Sequence, residues 1–279
     1  MSTALIVVNG MFISKKMISI NTIIFSKNRA CQLELLLRSL NIPGVVLYTY
    51  DPEFKSGYAK VKKMYPAVKF VRQTNFRKQL IELIKRGGKY VLFLVDDDIM
   101  IRPFDITCRE FKELKRNPEI ICLSLRLSPN YRWRGFPELK DNKYEWQPFS
   151  RSSPTFNYRL RGWGAPMTVA AHVFRKEDVL PMIEAAKEIR TPNYLEQVLN
   201  VNIPDRPLVQ CFAKAKFVNN EINQVQTDFP HHTPGPSAQQ LNERFLKGER
   251  LSLADIIGKA ASARDYFMKT DYKWEKEAE

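Results

Sequence analysis

Apolar and polar positions along the first half of the chain switch repeatedly between two periods. Strand-length apolar runs, Ile18–Phe25, Val45–Tyr50, Val68–Val71, Tyr90–Val95 and Ile120–Leu127, are separated by stretches with helical spacing. The stretch Arg29–Leu40 places Leu33, Leu36, Leu37 and Leu40 on one stripe. Lys55–Met64 precedes Pro66, Phe76–Lys85 closes at Gly87-Gly88, and Pro103 with Asp105 opens a helix that stops at Asn117-Pro118. Repeated βα units of this size predict an α/β fold, a mostly parallel, Rossmann-like twisted sheet flanked by helices.

The second half is less regular. A strand is expected over Met167–Phe174, a helix over Lys176–Ile189, a short helix over Asn193–Asn200 and a strand over Leu208–Phe217. Beyond the turn-rich Pro230–Pro236, helices are expected over Ala238–Leu246 and from about Ser252, where Ser252 with Asp255 resembles a capping box. The mixed-charge end, Lys269–Glu279, is expected to fray. On this pattern the chain divides into an extension over 1–17, one domain over 18–250 with halves at 18–128 and 129–250, and a helical tail over 251–279.

Three aspartates, Asp96-Asp97-Asp98, follow directly on the apolar run Tyr90–Val95. Unpaired buried charge is too costly for them to be core. In extended backbone Asp96 and Asp98 would point to the same side, forming a hard oxygen site suited to Mg²⁺ or Mn²⁺ carrying phosphate. A solvated acidic turn would explain the same residues more plainly. Open parallel sheets bind ligands beyond the carboxyl ends of their strands, where this trio is expected.

Charge extends the picture. Forty-four Lys and Arg against 30 Asp and Glu leave a formal +14 over 279 residues, a balance that favours anionic partners such as nucleic acid, acidic glycans, nucleotide phosphates or a membrane surface. The stretch 130–163 concentrates Arg132, Arg134, Arg151, Arg159 and Arg161 among Trp133, Trp146 and Trp163. Aromatic faces and arginines of this kind suit sugar rings, unpaired bases and anionic groups, and Trp163 between two glycines is the expected ligand-facing ring. Four scattered cysteines without a C-x-x-C pair point to a reducing cytoplasm. No apolar run approaches the roughly 20 residues of a membrane helix, and Met1–Ile13 lacks the marks of a signal peptide. G-x-G-x-x-G after a strand, Walker A, H-E-x-x-H and G-x-S-x-G are all missing, which removes support from dehydrogenase, P-loop, zinc-protease and α/β-hydrolase readings.

The segment NTIIFSKNRACQLELLLRSL is similar to the opening of GT-A-fold nucleotide-sugar glycosyltransferases, and YVLFLVDDDIMIRP resembles their D-x-D motif. Bacterial glycosyltransferase-like proteins with F-S-K-[DN]-R and F-L-V-D-D segments are the nearest resemblance. The likeness extends through Pro192-Asn193-Tyr194-Leu195-Glu196 and from Asn219 to Val225-Gln226, over roughly residues 18–250. It implies a GT-A-like fold with a nucleotide-sugar half, an acceptor half and a metal-dependent transfer, expected to be inverting. Asp96 and Asp98 would hold Mn²⁺ or Mg²⁺, with His232 (beside His231) as a further ligand. Ser26, Lys27, Arg29, Tyr50, Asp51 and Asp97 would contact the nucleotide sugar. Glu196 would be the general base, and Arg161, Trp163 and His172 would meet the acceptor. Where such relatives carry an acidic-Gly pair before the histidine, this chain has Ala170-Ala171, which keeps open a binding module without turnover. A DNA glycosyltransferase of phage type and a nucleotidyltransferase stay open as rival activities. The expected acceptor is a glycan or DNA, with peripheral membrane contact a further option.

Overall fold

The computed structural model describes residues 5–8, 11–14, 20–129, 140–145, 165–228, 235–262 and 273–277, with backbone alone at 5–8, 11–14, 144, 145 and 262. Strands β1 (Leu5–Val8) and β2 (Met11–Ser14) form an antiparallel pair separate from the main sheet. The main sheet of the described residues has eight strands. They are β3 (Ile20–Lys27), β4 (Val45–Thr49), β5 (Lys69–Arg72), β6 (Tyr90–Val95), β8 (Ile120–Ser124), β9 (Lys143–Glu145), β10 (His172–Arg175) and β11 (Leu208–Cys211), in the order β5-β4-β3-β6-β10-β8-β11-β9. Strands β5, β4, β3 and β6 are mutually parallel, β11 is parallel to β8, and β10 runs antiparallel between β6 and β8. The expected α/β, mostly parallel sheet flanked by helices is therefore present.

Central position explains the composition of β6. Val91, Leu92, Phe93 and Leu94 have no exposed surface, because helices cover both faces of the sheet. Phe93 packs with Phe25 of β3 at 5.8 Å and Phe174 of β10 at 6.0 Å between ring centres. Around the sheet lie α1 (Ala30–Ser39), α2 (Lys55–Met64), α3 (Phe76–Arg86), α4 (Arg109–Arg116), α5 (Lys176–Ala185) and α6 (Pro192–Val201). The Asn75 side chain caps α3 by accepting from Lys78 N at 2.9 Å. None of the described helices is long and apolar enough to cross a membrane.

Four expectations are corrected. The helix expected from Pro103 starts at Arg109, because Asp105 takes the Thr107 amide and hydroxyl into a tight turn, and Cys108 stands at the cap position. The strand expected over Met167–Phe174 begins only at His172; Ala171 is left-handed (φ 55°), which breaks extended backbone. The run Leu208–Phe217 splits into β11 and a separate strand, β12 (Phe217–Asn219), which pairs antiparallel with β7 (Asp98–Met100). The end is not frayed throughout: β14 (Trp274–Lys276) pairs with β13 (Glu249–Leu251). Arg38 of α1 holds this end through Glu275 and Leu251 O. Before β13, α7 (Ala238–Leu246) starts in a full capping box of Ser237 and Gln240, and α8 (Leu253–Ser262) lies between β13 and β14.

Candidate active site

The aspartates leave the sheet at the carboxyl end of β6, where Asp96 and Asp97 form a turn before β7 begins at Asp98. That turn breaks the extended alternation expected to bring Asp96 and Asp98 together, and the two carboxylates have different partners. Asp98, with no exposed surface, accepts from Val95 N at 2.9 Å and from Asn219 Nδ2 at 3.3 Å. Burial pushes its carboxyl up to about 7 against the opposing charge of Arg126. Asp96 accepts from Lys27 N at 3.3 Å and from Arg29 at 3.0 Å.

Arg29 organises the front of the site. Its Nη1 also reaches Asp97 Oδ2 at 2.5 Å, and its Nε donates to Asn223 Oδ1 at 2.9 Å. Its Nη2 donates to Asn223 O. Gln32 Nε2 holds the same Asn223 side-chain oxygen at 3.1 Å, so the aspartate turn is tied to the loop that follows β12. Burial alone would lower Arg29, but Asp97 and Asp96 outweigh it and hold the guanidinium above its ordinary value. One cation between two buried carboxylates still leaves a negative charge. Burial accordingly pushes Asp97 up to about 8 despite Arg29, with Asp96 and Glu221 adding to the rise.

The other residues expected around a nucleotide lie beside this cluster. Ser26 Oγ and Tyr58 OH are 2.7 Å apart, and Arg29 N donates to the same phenol at 3.2 Å. Asn28, left-handed at φ 57°, exchanges two hydrogen bonds with Asp51, one from its amide at 2.6 Å and one from Asp51 N at 2.8 Å. This clasp fixes the loop after β3 on the end of β4. Tyr50 stacks on Tyr58 at 5.2 Å, and the Arg72 guanidinium lies 3.4 Å from the centre of the Tyr50 ring. Lys27 is exposed.

Glu196 sits in the second turn of α6, a helix capped by Thr191. Its Oε1 accepts from Val169 N at 3.3 Å. Burial raises its carboxyl; Thr168, Arg126 and the Val169 amide pull the other way. Arg126 therefore acts on Asp98 and Glu196 alike, and links the turn to the expected base. His172 is corrected. It is wholly buried in the sheet, donates from Nδ1 to Ala170 O at 2.9 Å and stacks on Phe174, so it offers no face to an acceptor. Arg161, Trp163, His231 and His232 lie outside the described residues.

Two experiments probe this framework. Ala171 occupies a conformation that favours glycine, so Ala171→Gly is expected to raise stability by about 1 kcal/mol in urea unfolding; an unchanged midpoint would contradict a left-handed residue there. Burial, with Arg126, holds His172 down at about 3. An unfolded histidine titrates near 6.5, so the unfolded chain binds the extra proton between these limits. This group should cost about 1.4 kcal/mol of stability per pH unit as pH falls from roughly 6.5 towards 3. His172→Gln should remove that slope; the same slope in both proteins would sink the assignment.

A divalent cation fits only part of this cluster. Among the described residues no three His, Cys, Asp or Glu side chains are arranged to hold a metal. Both Asp98 oxygens and both Asp96 oxygens have protein partners, whereas Asp97 Oδ1 is buried with none. Asn220, whose amide donates to Asp97 O at 2.8 Å, also buries its side-chain oxygen and nitrogen without partners. Orphaned buried polar atoms are uncommon and costly. A divalent cation that takes most of its oxygens from phosphate and water fits one such carboxylate at Asp97, and does not fit at Asp98.

The chain is 26% identical over 229 residues to the bifunctional glycosyltransferase pgtA of Dictyostelium discoideum. The match takes in 68% of this chain and 28% of that protein. No family model matches. Among solved structures, S. aureus TarS 1-349 overlaps with a TM-score of 0.43 at 13% identity, covering 71% of this chain and 59% of that one. A second TarS structure gives 0.42 at 15% identity, covering 71% and 36%.

Sequence reasoning missed Arg126 and Tyr58, and gave no role to Asn219 and Asn220 although the stretch from Asn219 to Gln226 carries part of the resemblance. For Arg126 a signal was available: Ser124, Arg126 and Ser128 are polar at every second place in a run otherwise apolar, the mark of one polar face.

Proposed function

We propose that this chain is a GT-A-like glycosyltransferase that moves a sugar from a nucleotide diphosphate to an acceptor hydroxyl. The observation that carries the reading is the buried aspartate turn at the end of the central strand, with one carboxylate oxygen left without a partner. Sequence similarity to pgtA supports it. Ser26, Asp51 and Tyr50 would line the nucleotide side, with Tyr50 and Asp51 meeting base and ribose.

Glu196 is the proposed general base. Its raised carboxyl favours proton uptake from the acceptor hydroxyl. That oxygen forms a bond to the anomeric carbon while the bond from carbon to the diphosphate oxygen breaks, and the nucleoside diphosphate leaves with the electron pair. This is an inverting displacement. Mn²⁺ or Mg²⁺ bound at Asp97 would neutralise charge on the departing diphosphate. Arg29 holds Asp96 and Asp97 in place, and Arg126 keeps positive charge between Asp98 and Glu196. Four unpaired thiols suit a reducing compartment such as the cytoplasm.

The test is product analysis with UDP-, GDP- and dTDP-glucose in the presence of Mn²⁺. Release of nucleoside diphosphate together with free or transferred sugar supports the reading. Pyrophosphate release, or no turnover of any donor, contradicts it.

A further inference from the structure

A second feature lies away from the aspartate turn, on the outer side of the sheet edge. Helix α4 buries Phe111 and Leu114 and leaves Arg109, Lys112 and Arg116 exposed. Their spacing places them along one side of the helix. Lys143 of the edge strand β9 lies across from them, and together they line a groove of about 720 Å³. The groove holds a single carboxylate, Glu113, which is already engaged. It accepts from Arg109 Nε at 3.1 Å and Gln210 Nε2 at 2.7 Å, and pairs with Lys143 Nζ at 3.1 Å. Four cations against one satisfied carboxylate leave a concave surface with unspent positive charge.

We infer that this groove is a docking site for a linear, phosphate-bearing polymer. Arginine forks match phosphate geometry, and a row of cations along a helix of about 12 Å suits successive phosphates better than one small anion. A concave groove suits a flexible chain and not the plane of a bilayer. Direction supports a role next to the reaction. Strand β8 runs parallel to β6, since both pair antiparallel with β10. Helix α4 returns to the start of β8 at Ile120, so Arg116 lies at the far end and Arg109 towards the edge that carries the aspartates. Lys143 also sits, in the chain, between the two parts of the basic aromatic stretch. If the glycosyltransferase reading holds, the polymer is the acceptor or its carrier; the docking itself does not depend on that reading.

The experiment measures binding of inorganic polyphosphate to the full chain by isothermal titration across a salt series. The groove variant is Arg109→Ser/Lys112→Ser/Arg116→Ser. A charge-matched control on the exposed side of α3 is Lys78→Ser/Lys85→Ser/Arg86→Ser. The groove variant is expected to bind about tenfold or more weakly than wild type, with a shallower salt dependence, while the control stays within about threefold. Equal losses in both variants would mean that net charge alone attracts the polymer, and would overturn the inference. So would displacement of polyphosphate by phosphatidylglycerol vesicles at equal phosphate concentration, which would assign the face to a membrane. Hydrolysis of the sugar donor should be unaltered in the groove variant; if wild type shows no donor turnover, the glycosyltransferase reading fails while the binding result stands or falls by itself.

Discussion

Arg29→Met is expected to destabilise the chain by about 3–5 kcal/mol, seen as a lower urea midpoint at neutral pH. The substitution leaves buried Asp96 and largely buried Asp97 side by side with their shared cation gone. It also removes the donors to Asn223, so the loop after β12 loses its tie to the aspartate turn. Breaking a buried ion pair from one side costs more than the pair itself contributes, because a charge is left without compensation. Arg29→Met/Asp97→Asn should recover part of the loss, since one of the two stranded charges is then absent. Lower pH should narrow the difference between Arg29→Met and wild type, because protonation relieves the same repulsion. A cost below about 1 kcal/mol would contradict the buried triad.

Glu196→Gln is expected to reduce sugar transfer by about 10²–10⁴-fold while leaving donor KM within about twofold. Glutamine keeps an oxygen for the Val169 amide and so preserves the helix contact, but it cannot accept the acceptor proton. Burial raises the Glu196 carboxyl, so kcat/KM should rise with pH as this group loses its proton, and that limb should vanish in the variant. Transfer within about threefold of wild type would remove Glu196 from the mechanism.

Much of the sheet was legible in the residues because its strands are buried on both faces. Tyr90–Val95 reads as a strand and is one, at the centre of the sheet. Helices α1 and α3 follow the spacing of their buried leucines, with Phe76 in α3, because these side chains pack in the core. Legibility fails where contacts distant in sequence decide the backbone. The run Leu208–Phe217 is apolar enough for a continuous strand, yet Lys216 N and Phe217 N both donate to Leu125 O, and the chain turns into a second sheet. Ala171 shows nothing in its side chain to announce a left-handed conformation; only its bonds to Phe93 and Leu125 hold it there.

The place of the aspartates, at the carboxyl end of β6, was legible, and their arrangement less so. Three carboxylates after an apolar strand marked the place, but local alternation paired Asp96 with Asp98. The turn at Asp96–Asp97 instead gives Asp98 to Asn219 and leaves Asp97 beside Asn220. Arg29, expected on the nucleotide, is consumed by protein partners and acts as a positioning residue. That role depends on Asn223, 194 residues further along the chain, which no local pattern could supply.

Calorimetric titration of Mn²⁺ with UDP, GDP and dTDP into wild type, Asp97→Asn and Asp98→Asn tests the central claim most directly. One nucleotide is expected to bind wild type in a metal-dependent manner, and Asp97→Asn should abolish that dependence. Asp98→Asn, which keeps a side-chain acceptor for the Val95 amide, should bind within a few-fold of wild type. Metal-dependent binding that survives Asp97→Asn, or that is absent from wild type with every nucleotide, would contradict a diphosphate site at the end of β6.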